Sequence, residues 1–289
     1  MILWGSLFPV VKLGYKEFGL NTAFIPDLIF FAGIRFVVCG TLLCLYNGVR
    51  KTYKVDYGKK YIAIFLIGLF SITLHYACTY IGLSMTDSSK TALLKQLGTI
   101  FFICFSFVFI KEDKFSVFKM ISAFFGILGI VILNFDSLKF SFGLGEFLII
   151  SASVCTVISN ILCKKYTRDV NTLFVTGGSE LTGGIILLIV GLSFGGALRV
   201  FTLGGLFITI YIVFATVVSY GLWYKTVQTS NLSYLFIIKL SEPLFAAIIG
   251  AIILSENIFK WQYAVSFVCI VLAVLISNLK MSLFIKNKQ

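Results

Sequence analysis

The chain has 289 residues; 59% are hydrophobic, only 12% are charged, and the mean hydropathy is +1.01. Soluble domains average about 25% charged and roughly 45 to 50% apolar residues, so this composition excludes a soluble globular domain. The formal net charge of +12 would favour a nucleic-acid partner only if the basic residues formed a cluster. Most of them lie instead in short loops between apolar segments, and no nucleic-acid partner is predicted.

A membrane-spanning helix needs about 20 mostly apolar residues, and charged or turn-forming breaks divide the chain into ten such segments. In chain order they are Ile2 to Phe18, Asp27 to Tyr46, Lys60 to Leu83, Ser88 to Ile110, Phe115 to Phe135, Gly143 to Cys163, Thr172 to Phe194, Leu203 to Lys225, Leu232 to Leu254 and Trp261 to Leu279. The sequence therefore predicts an all-α integral membrane protein of the lipid bilayer, with ten transmembrane helices and no room for a catalytic domain.

The distribution of basic residues predicts the orientation, because Lys and Arg accumulate in short cytoplasmic loops. With a cytoplasmic N-terminus, fifteen of the 24 basic residues fall on the inner side. Five fall on the outer side, namely Lys16, Lys90, Lys139, Arg199 and Lys260. Met1 runs directly into apolar residues without a basic segment, so the first span is predicted to be retained. We expect a multi-pass protein of the cell membrane with both termini in the cytoplasm.

Seven cysteines lie inside the apolar segments, without CxxC spacing or a nearby histidine that would indicate a metal site. They are Cys39, Cys44, Cys78, Cys104, Cys155, Cys163 and Cys269. Free cysteine behaves as a small hydrophobic residue. Buried thiols are therefore predicted, with no metal and no cofactor.

An internal repeat is visible at a register shift of 144 residues, which aligns residues 89–134 with residues 233–278 without a gap. Nine of the 46 positions are identical, and the polar identities include Lys95/Lys239, Glu112/Glu256 and Asn134/Asn278. The match indicates a duplication with five spans in each half, residues 1–136 and 137–289. Five is an odd number, so the two halves enter the membrane in opposite directions. Inverted repeats are common in transporters, whose site lies near the midplane between the halves.

Lys95 and Lys239 each lie seven residues from the start of their predicted span. At 1.5 Å per residue each is roughly 10 Å below its own membrane surface, deep for a charge at a helix end, although a long side chain can snorkel. A charged side chain at this depth usually faces the interior of a helix bundle or a wet cavity. We predict that both line a substrate path, with a structural ion pair as the alternative.

Two carboxylates are further candidates inside the membrane. Glu180 is flanked by Gly177, Gly178, Gly183 and Gly184, so close helix packing would bury it beside a cation. It is a candidate proton carrier, and the alternative is a fixed counter-charge to Lys95 or Lys239.

Glu242 follows Lys239 by three residues, on nearly the same helical face, and precedes Pro243. Proline removes a helix hydrogen bond, and a discontinuous helix here would suit a substrate site. The alternative is a simple kink with Glu242 paired to Lys239.

His75 is the single histidine of the chain and lies near the middle of the third span. Histidine titrates near neutrality, so a direct role is one hypothesis and a hydrogen-bonded packing residue is the other. The aromatic residues that could stack on a substrate ring, or pack between helices, are Tyr76, Tyr80, Tyr220, Trp223 and Tyr224.

Four other charged residues are predicted to act on loops or helix ends. Glu112 and Glu256 follow the ends of their spans on opposite sides and are expected to stabilise loops or gates. Lys12 and Arg35 are expected within reach of helix ends, where they would snorkel or pair between helices.

These residues together resemble the drug/metabolite transporter superfamily, in particular its ten-span EamA-type members, over nearly the whole chain. Trp4, Gly5, Phe8 and Lys12 look like the opening WGxxFxxxK of that family, and Arg35 in GIRF looks like its second-span motif. The stretch LSEPLFAAIIGAIILSE, from Leu240 to Glu256, is similar to its acidic-proline signature. Lys95 and Glu112 fit the equivalent signature of the first half.

The fourth span departs from that pattern, because Gly98 and Thr99 occupy the places of Glu242 and Pro243. A kink on that side is therefore in doubt. The resemblance implies alternating access and the efflux or exchange of small organic solutes, often amino acids or related metabolites.

The leading hypothesis is a secondary transporter for a small-molecule substrate, with proton coupling left open. It rests on the inverted repeat, the paired lysines and the absence of a nucleotide-binding motif. A non-transporting membrane scaffold or sensor is the alternative. An intramembrane enzyme is disfavoured because the sequence shows no HExxH motif, no pair of intramembrane aspartates and no Ser/His constellation around His75.

Overall fold

The structure is a computed structural model that describes residues 1–50, 58–85, 88–110, 113, 115–133, 143–254 and 261–286. These residues form ten helices joined by short loops, and no strand. The helices are α1 (Ile2–Glu17), α2 (Ile25–Arg50), α3 (residues 60–85), α4 (Ser88–Phe109), α5 (Val117–Leu133), α6 (Leu144–Tyr166), α7 (Thr172–Ser193), α8 (Leu203–Thr229), α9 (Leu232–Lys239 as α9a and Glu242–Leu254 as α9b) and α10 (Trp261–Lys286).

Each predicted span corresponds to one of these helices. Among the described residues, six helical runs are long and apolar enough to cross a bilayer, and they include α2, the first 23 residues of α3, and α6, α7 and α8. The sixth run covers most of α9, while α4, α5 and α10 contain shorter apolar stretches. Many large apolar side chains point outward, such as Phe207 and Phe214 on α8, which are more than half exposed. The prediction of an all-α membrane protein is confirmed.

Polar residues begin several helices and allow the loops to be short. Asn171 accepts a hydrogen bond from the amide of Leu173 (2.9 Å) at the start of α7. Asn231 accepts one from the amide of Ser233 (3.0 Å) at the start of α9. Such caps satisfy first-turn amides that have no partner within the helix. Two residues therefore suffice to connect α8 to α9.

Two helices depart from regular α geometry inside the bundle. Residues Leu69–Leu74 of α3 form a π-helical segment that ends directly before His75. α9 is interrupted at Leu240 and Ser241, and α9b begins at Glu242. Pro243 has no amide hydrogen, so the carbonyl of Lys239 receives no hydrogen bond from the fourth following residue. Of the two alternatives at Pro243, the structure has the discontinuous helix and not the simple kink, whereas α4 continues through Gly98 without a break.

The closest helix packing in the bundle joins α2 to α7. A Cβ atom added at Gly40 would lie 2.3 Å from the amide nitrogen of Leu181, and one at Gly33 would lie 2.6 Å from that of Leu188. The residue numbers on α2 rise as those on α7 fall, so the two helices are antiparallel. Glycine allows this approach because it has no side chain, as at many helix interfaces in membranes.

The contacts between α2 and α7 recur when each residue is replaced by its counterpart in the other half of the chain. The shift of 144 residues converts the pair Gly33 and Leu188 into Cys44 and Gly177, and a Cβ at Gly177 would lie 3.2 Å from the Cys44 nitrogen. It converts Gly40 and Leu181 into Val37 and Gly184, where the corresponding distance is 2.7 Å. An interface that maps onto itself between antiparallel helices requires a pseudo-twofold axis across the bundle. The prediction of an inverted repeat is confirmed in these contacts.

On one side of the bundle, the loop between α1 and α2 is tied to the loop between α7 and α8. Asp27 is fully buried and accepts hydrogen bonds from the Ala197 amide (3.1 Å) and from Nε of Arg199 (3.2 Å). Thr202 donates to the carboxylate of Glu17 at 2.5 Å. These contacts join the first half of the chain to the second.

On the opposite side, Asp113 ties the loop after α4 to the start of α9. Its carboxylate accepts hydrogen bonds from Lys119, from the Ser233 hydroxyl and from Nδ2 of Asn231. Lys60 and Asp169 form a second, exposed ion pair between the halves on this side. The two halves are therefore tied on both sides of the bundle.

The α2 and α7 crossing can be tested with glycine substitutions. Gly40→Ala places a methyl group against the α7 backbone, and overpacking of this kind costs about 1 to 3 kcal/mol. We expect a lower melting temperature of the purified protein in detergent. Gly48→Ala on the same helix is the matched control, because nothing lies within 4 Å of the added Cβ. Equal melting temperatures for the two variants would contradict the proposed crossing.

The contribution of the Asp113 contacts to stability can be tested by varying the pH. Burial raises the pKa of the Asp113 carboxyl, but hydrogen bonds from Lys119, Ser106 and Ser233 and the charge of Lys119 outweigh this and hold the pKa below its ordinary value. The ionised form therefore stabilises the fold above about pH 4, and this contribution is lost as the pH falls through the lowered pKa. We expect the melting temperature of Asp113→Asn to depend less on pH below 4 than that of the wild type.

At neutral pH, Asp113→Asn breaks the buried ion pair with Lys119, which costs about 3 kcal/mol. Asp169→Asn is the control, because its side chain is 71% exposed and such pairs contribute about 0 to 1 kcal/mol. Similar losses of stability in the two variants would argue against a buried tie at Asp113.

Candidate functional site

The side chain of Lys239 is held among aromatic rings at the break in α9. Its Nζ lies 5.5 Å from the ring centroids of Trp4 and Trp223 and 5.9 Å from that of Phe236. An ammonium near the face of an aromatic ring is attracted by the negative charge of that face. The rings come from α1, α8 and α9a, so this group joins the two halves.

The position of Trp4 follows from the packing of α1. A Cβ added at the neighbouring Gly5 would lie 2.7 Å from Cβ of Phe245 and 2.8 Å from the nitrogen of Ala246. Gly5 therefore lets α1 contact α9b closely, and this contact brings the Trp4 ring to Trp223 (5.2 Å between centroids) and Tyr220 (5.4 Å).

Lys95 and Glu242 lie close to Lys239. Lys95 interacts electrostatically with both Glu242 and Lys239, and Lys239 interacts with Glu242. The three side chains are half-buried. The structure thus brings together the two lysines of the repeat with the Glu242 carboxylate.

Trp223 is fixed by a hydrogen bond that the sequence did not indicate. Its indole Nε1 donates to Oδ1 of the buried Asn160 at 2.7 Å. The Asn160 amide in turn donates to the carbonyl oxygen of Thr156 at 2.7 Å. The indole ring is therefore held in one orientation beside Lys239.

His75 is bound to α6. Its Nδ1 lies 3.0 Å from the carbonyl oxygen of Ala152 and 2.9 Å from the Thr156 hydroxyl. A carbonyl oxygen only accepts, so Nδ1 carries the proton. When the ring is neutral, Nε2 is left as an acceptor. The π-helical segment of α3 ends directly before His75, and such segments occur frequently at functional sites.

Arg35 and Glu180 form a second charged group. Arg35 is 4% exposed, and its guanidinium lies 4.3 Å from the Phe36 ring centroid and 5.2 Å from that of Tyr76. Glu180 is fully buried and interacts electrostatically with Arg35. Arg35 lies ten residues into α2, about 15 Å along its axis at 1.5 Å per residue, so the prediction that it lies near a helix end is wrong. The counter-charge facing Glu180 is Arg35, whereas Lys95 and Lys239 face Glu242.

Tyrosines mark the pseudo-twofold axis between α3 and α8. Tyr76 and Tyr220 are related by the shift of 144 residues, and their hydroxyl oxygens lie 3.4 Å apart. The next pair, Tyr80 and Tyr224, packs on the first with similar centroid distances of 5.8 and 5.9 Å. The Tyr224 hydroxyl donates to Oγ of Ser71, within the π-helical segment, at 2.9 Å.

Some predicted residues lie elsewhere. Lys12 is exposed on α1. Glu112 and Glu256 lie outside the described residues, and of Pro243 only the backbone is described. The cysteines are free thiols; Cys39, Cys163 and Cys269 are buried and the other four are half-buried.

A separate lateral crevice of about 570 Å³ opens between α1, α8 and α9b. It is lined mainly by apolar side chains such as Leu3, Phe207 and Ile253. The Ser6 and Tyr211 hydroxyls, which share a hydrogen bond of 2.7 Å, are its polar groups. Because it contains none of the charged residues above, it lies apart from the candidate site.

Comparison with known proteins gives the family. The model of the EamA-like transporter family matches the chain twice, over residues 1–135 and 143–279. An "Uncharacterized transporter" of Archaeoglobus fulgidus is 23% identical over 259 residues, covering 88% of this chain and 87% of that protein. The "Uncharacterized transporter YetK" of Bacillus subtilis is 22% identical over 264 residues, covering 86% and 78%.

A WAT1-related chloroplastic protein of Arabidopsis thaliana is 23% identical over 248 residues, covering 81% of this chain and 58% of that protein. A solved crystal structure with 13% sequence identity superposes with a TM-score of 0.78, covering 96% of this chain and 93% of that one, and shows the same fold. The family and the names of these relatives point to a membrane transporter rather than an enzyme. The chain belongs to the EamA-like transporter family.

Proposed function

We propose that this protein is a secondary transporter that moves small organic metabolites, amino acids or related solutes, across the cell membrane by alternating access, chiefly outward. The observation that carries this proposal is the placement of Lys239 at the break in α9, among Trp4, Trp223 and Phe236. A charge at a broken helix between inverted halves is the arrangement that transporters use for substrate binding.

The chemistry of this group fits a solute with a carboxylate. Aromatic faces hold the Lys239 ammonium through weaker contacts than a carboxylate would provide, so a substrate carboxylate competes well for it. Glu242 lies near both lysines and suits the ammonium of the same solute. The rings of Trp4 and Trp223 offer apolar faces for its side chain. An amino acid satisfies all three contacts.

Alternating access requires the ties on the two sides of the bundle to open in turn. We propose that the two halves, residues 1–136 and 137–289, rock about the α2 and α7 crossing. The Asp113 contacts close one side and the Asp27 contacts close the other. The site at Lys239 then faces one solution at a time.

The flux experiment uses purified protein in liposomes with radiolabelled amino acids, nucleosides and organic cations, with and without a pH gradient. Lys239→Ala removes a charged contact worth about 1.5 to 3 kcal/mol, so we expect roughly a 10- to 100-fold lower rate for the transported solute. Lys239→Arg retains the charge and is expected to retain part of the activity. Lys225→Ala, exposed on α8, is the matched control.

An unchanged rate in Lys239→Ala would remove Lys239 from the site. If no member of the panel moves under any condition, while the protein remains monodisperse, the transport proposal itself fails. Trp fluorescence provides an independent reading of binding, because Trp4 and Trp223 lie at the site whereas Trp261 is exposed.

The membrane orientation can be tested with engineered cysteines in cells. Arg199 and Asp169 lie in loops on opposite sides of the bundle. With cytoplasmic termini, we expect Arg199→Cys to react with a membrane-impermeant maleimide in intact cells. Asp169→Cys is expected to react only after the membrane is permeabilised. The reverse pattern would place both termini outside.

A further inference from the structure

Glu180 is a buried acid that accepts no hydrogen bond from any described residue. It is fully buried where α7 crosses α2, and neither of its carboxylate oxygens has a hydrogen-bond partner. Gly177 and Gly184 hold the α7 backbone against α2 on either side of it. Glu180 therefore cannot reach water without a change in helix packing. An ionised carboxylate is disfavoured in such a place unless it is paired.

The groups that face Glu180 include one buried cation. From α2 these groups are Arg35, Cys39 and Cys44, and from α8 the group is Tyr224. Between Gly68 and Leu74, α3 has hydroxyls and no charged residue. Thiols and phenols are neutral near pH 7 at their ordinary pKa values. Among the described residues, Arg35 is the charge that acts on Glu180.

Arg35 and Glu180 are close enough to interact but are not joined. Nε of Arg35 has no acceptor, and its guanidinium lies over the rings of Phe36 and Tyr76. A buried guanidinium and an ionised carboxylate form strong, direct hydrogen bonds when both are charged. Their separation here fits a protonated, neutral Glu180 and an Arg35 that is available to an anion.

We propose that Glu180 binds the coupling proton and that its protonation makes Arg35 available to the substrate carboxylate, which reaches Arg35 in one step of the transport path and Lys239 in another. With the anion bound at Arg35, Glu180 stays protonated, so Glu180, Arg35 and the anion together carry no net charge. When the anion leaves, the Glu180 proton passes to the water on the open side, and the carboxylate then pairs with Arg35. One proton and one negative charge thus cross together. This inference rests on the proposed transport function and adds the coupling ion and its site.

The coupling has a thermodynamic consequence. Net flux follows the combined gradients of the anion and the proton, so export occurs when the outward gradient of the anion exceeds the inward gradient of protons. For one proton per solute, a gradient of one pH unit supports about a tenfold accumulation. The transport step is electroneutral for a monovalent anion and carries one positive charge for a zwitterionic amino acid.

The proton site can be tested without a substrate. Infrared spectra of the full-length protein in nanodiscs are recorded as a pH titration, and the C=O stretch of a protonated carboxylic acid is expected to appear as the pH is lowered and Glu180 takes up its proton. This band should be absent in Glu180→Gln and present in the control Glu17→Gln. In Arg35→Gln the band should persist to higher pH, because the positive charge that favours the ionised form is removed. A wild-type titration without a band that depends on Glu180 would overturn the proposal.

The coupling is tested with the solute that moves in the flux panel, together with benzoate as an aromatic carboxylate probe and benzamide as its neutral control. Wild-type protein should acidify the lumen in step with uptake, as reported by a trapped pH dye. In Glu180→Gln the solute exchange that remains, whatever its rate, should be independent of the pH gradient, so the roughly tenfold accumulation driven by one pH unit is lost. Benzoate should compete with the solute, and benzamide should not.

The outcomes separate the two proposals. Accumulation driven by the pH gradient in Glu180→Gln, or equal competition by benzoate and benzamide, would show that Glu180 and Arg35 do not couple the two ions. If no solute moves in any variant, the transport function fails, while the infrared band still decides whether Glu180 binds a proton. A melting temperature of Glu180→Gln close to that of the wild type establishes that the variant is folded.

Discussion

The close contact between α2 and α7 is the constraint on which the rest of the structure depends. Lipid tails are as apolar as the helix surfaces, so helices in a membrane associate through close packing rather than by escaping water. Gly33, Gly40, Gly177 and Gly184 permit that packing, and each meets the backbone of the opposite helix. The symmetric crossing defines the pseudo-twofold axis, which brings Tyr76 to Tyr220 and places Arg35 beside Glu180.

Buried charged and acidic side chains make the interior of this bundle different from a rigid apolar core. Lys239 contacts ring faces and has Glu242 nearby without a hydrogen bond to it, and Glu180 has no hydrogen-bond donor. Such side chains, which lack a hydrogen-bonded counter-charge, bind ligands more readily than a fully satisfied ion pair, because no strong partner has to be removed. The ties at Asp27 and Asp113 lie at the two ends of the bundle, away from the crossing. Ligand binding between the two ends and loop contacts at the ends therefore act on the same two halves.

Much of the fold follows from the sequence, but the partners of its polar residues do not. Hydropathy located all ten helices, and the recurrence of Lys95 at Lys239 indicated the inverted halves. The same shift of 144 residues relates Gly33 to Gly177 and Tyr76 to Tyr220. An alignment of the two halves over their whole length therefore indicates the pseudo-twofold axis. No sequence pattern identified Asn160 as the hydrogen-bond partner of Trp223, because a single asparagine in an apolar segment does not indicate which helix its amide group faces. The π-helical segment before His75 likewise has no sequence signal.

The sequence by itself determined the membrane environment, the helices and their opposite orientation in the two halves. These properties are local, because a helix in lipid satisfies its own backbone hydrogen bonds whatever its neighbours are. Only the tertiary structure decided that Arg35, rather than a lysine, faces Glu180, that Trp4 and Trp223 enclose Lys239, and that Lys12 points outward. Periodicity indicates how deep a residue lies and which face of its helix it occupies. Which other helix packs against that face is decided by close packing between segments far apart in the chain.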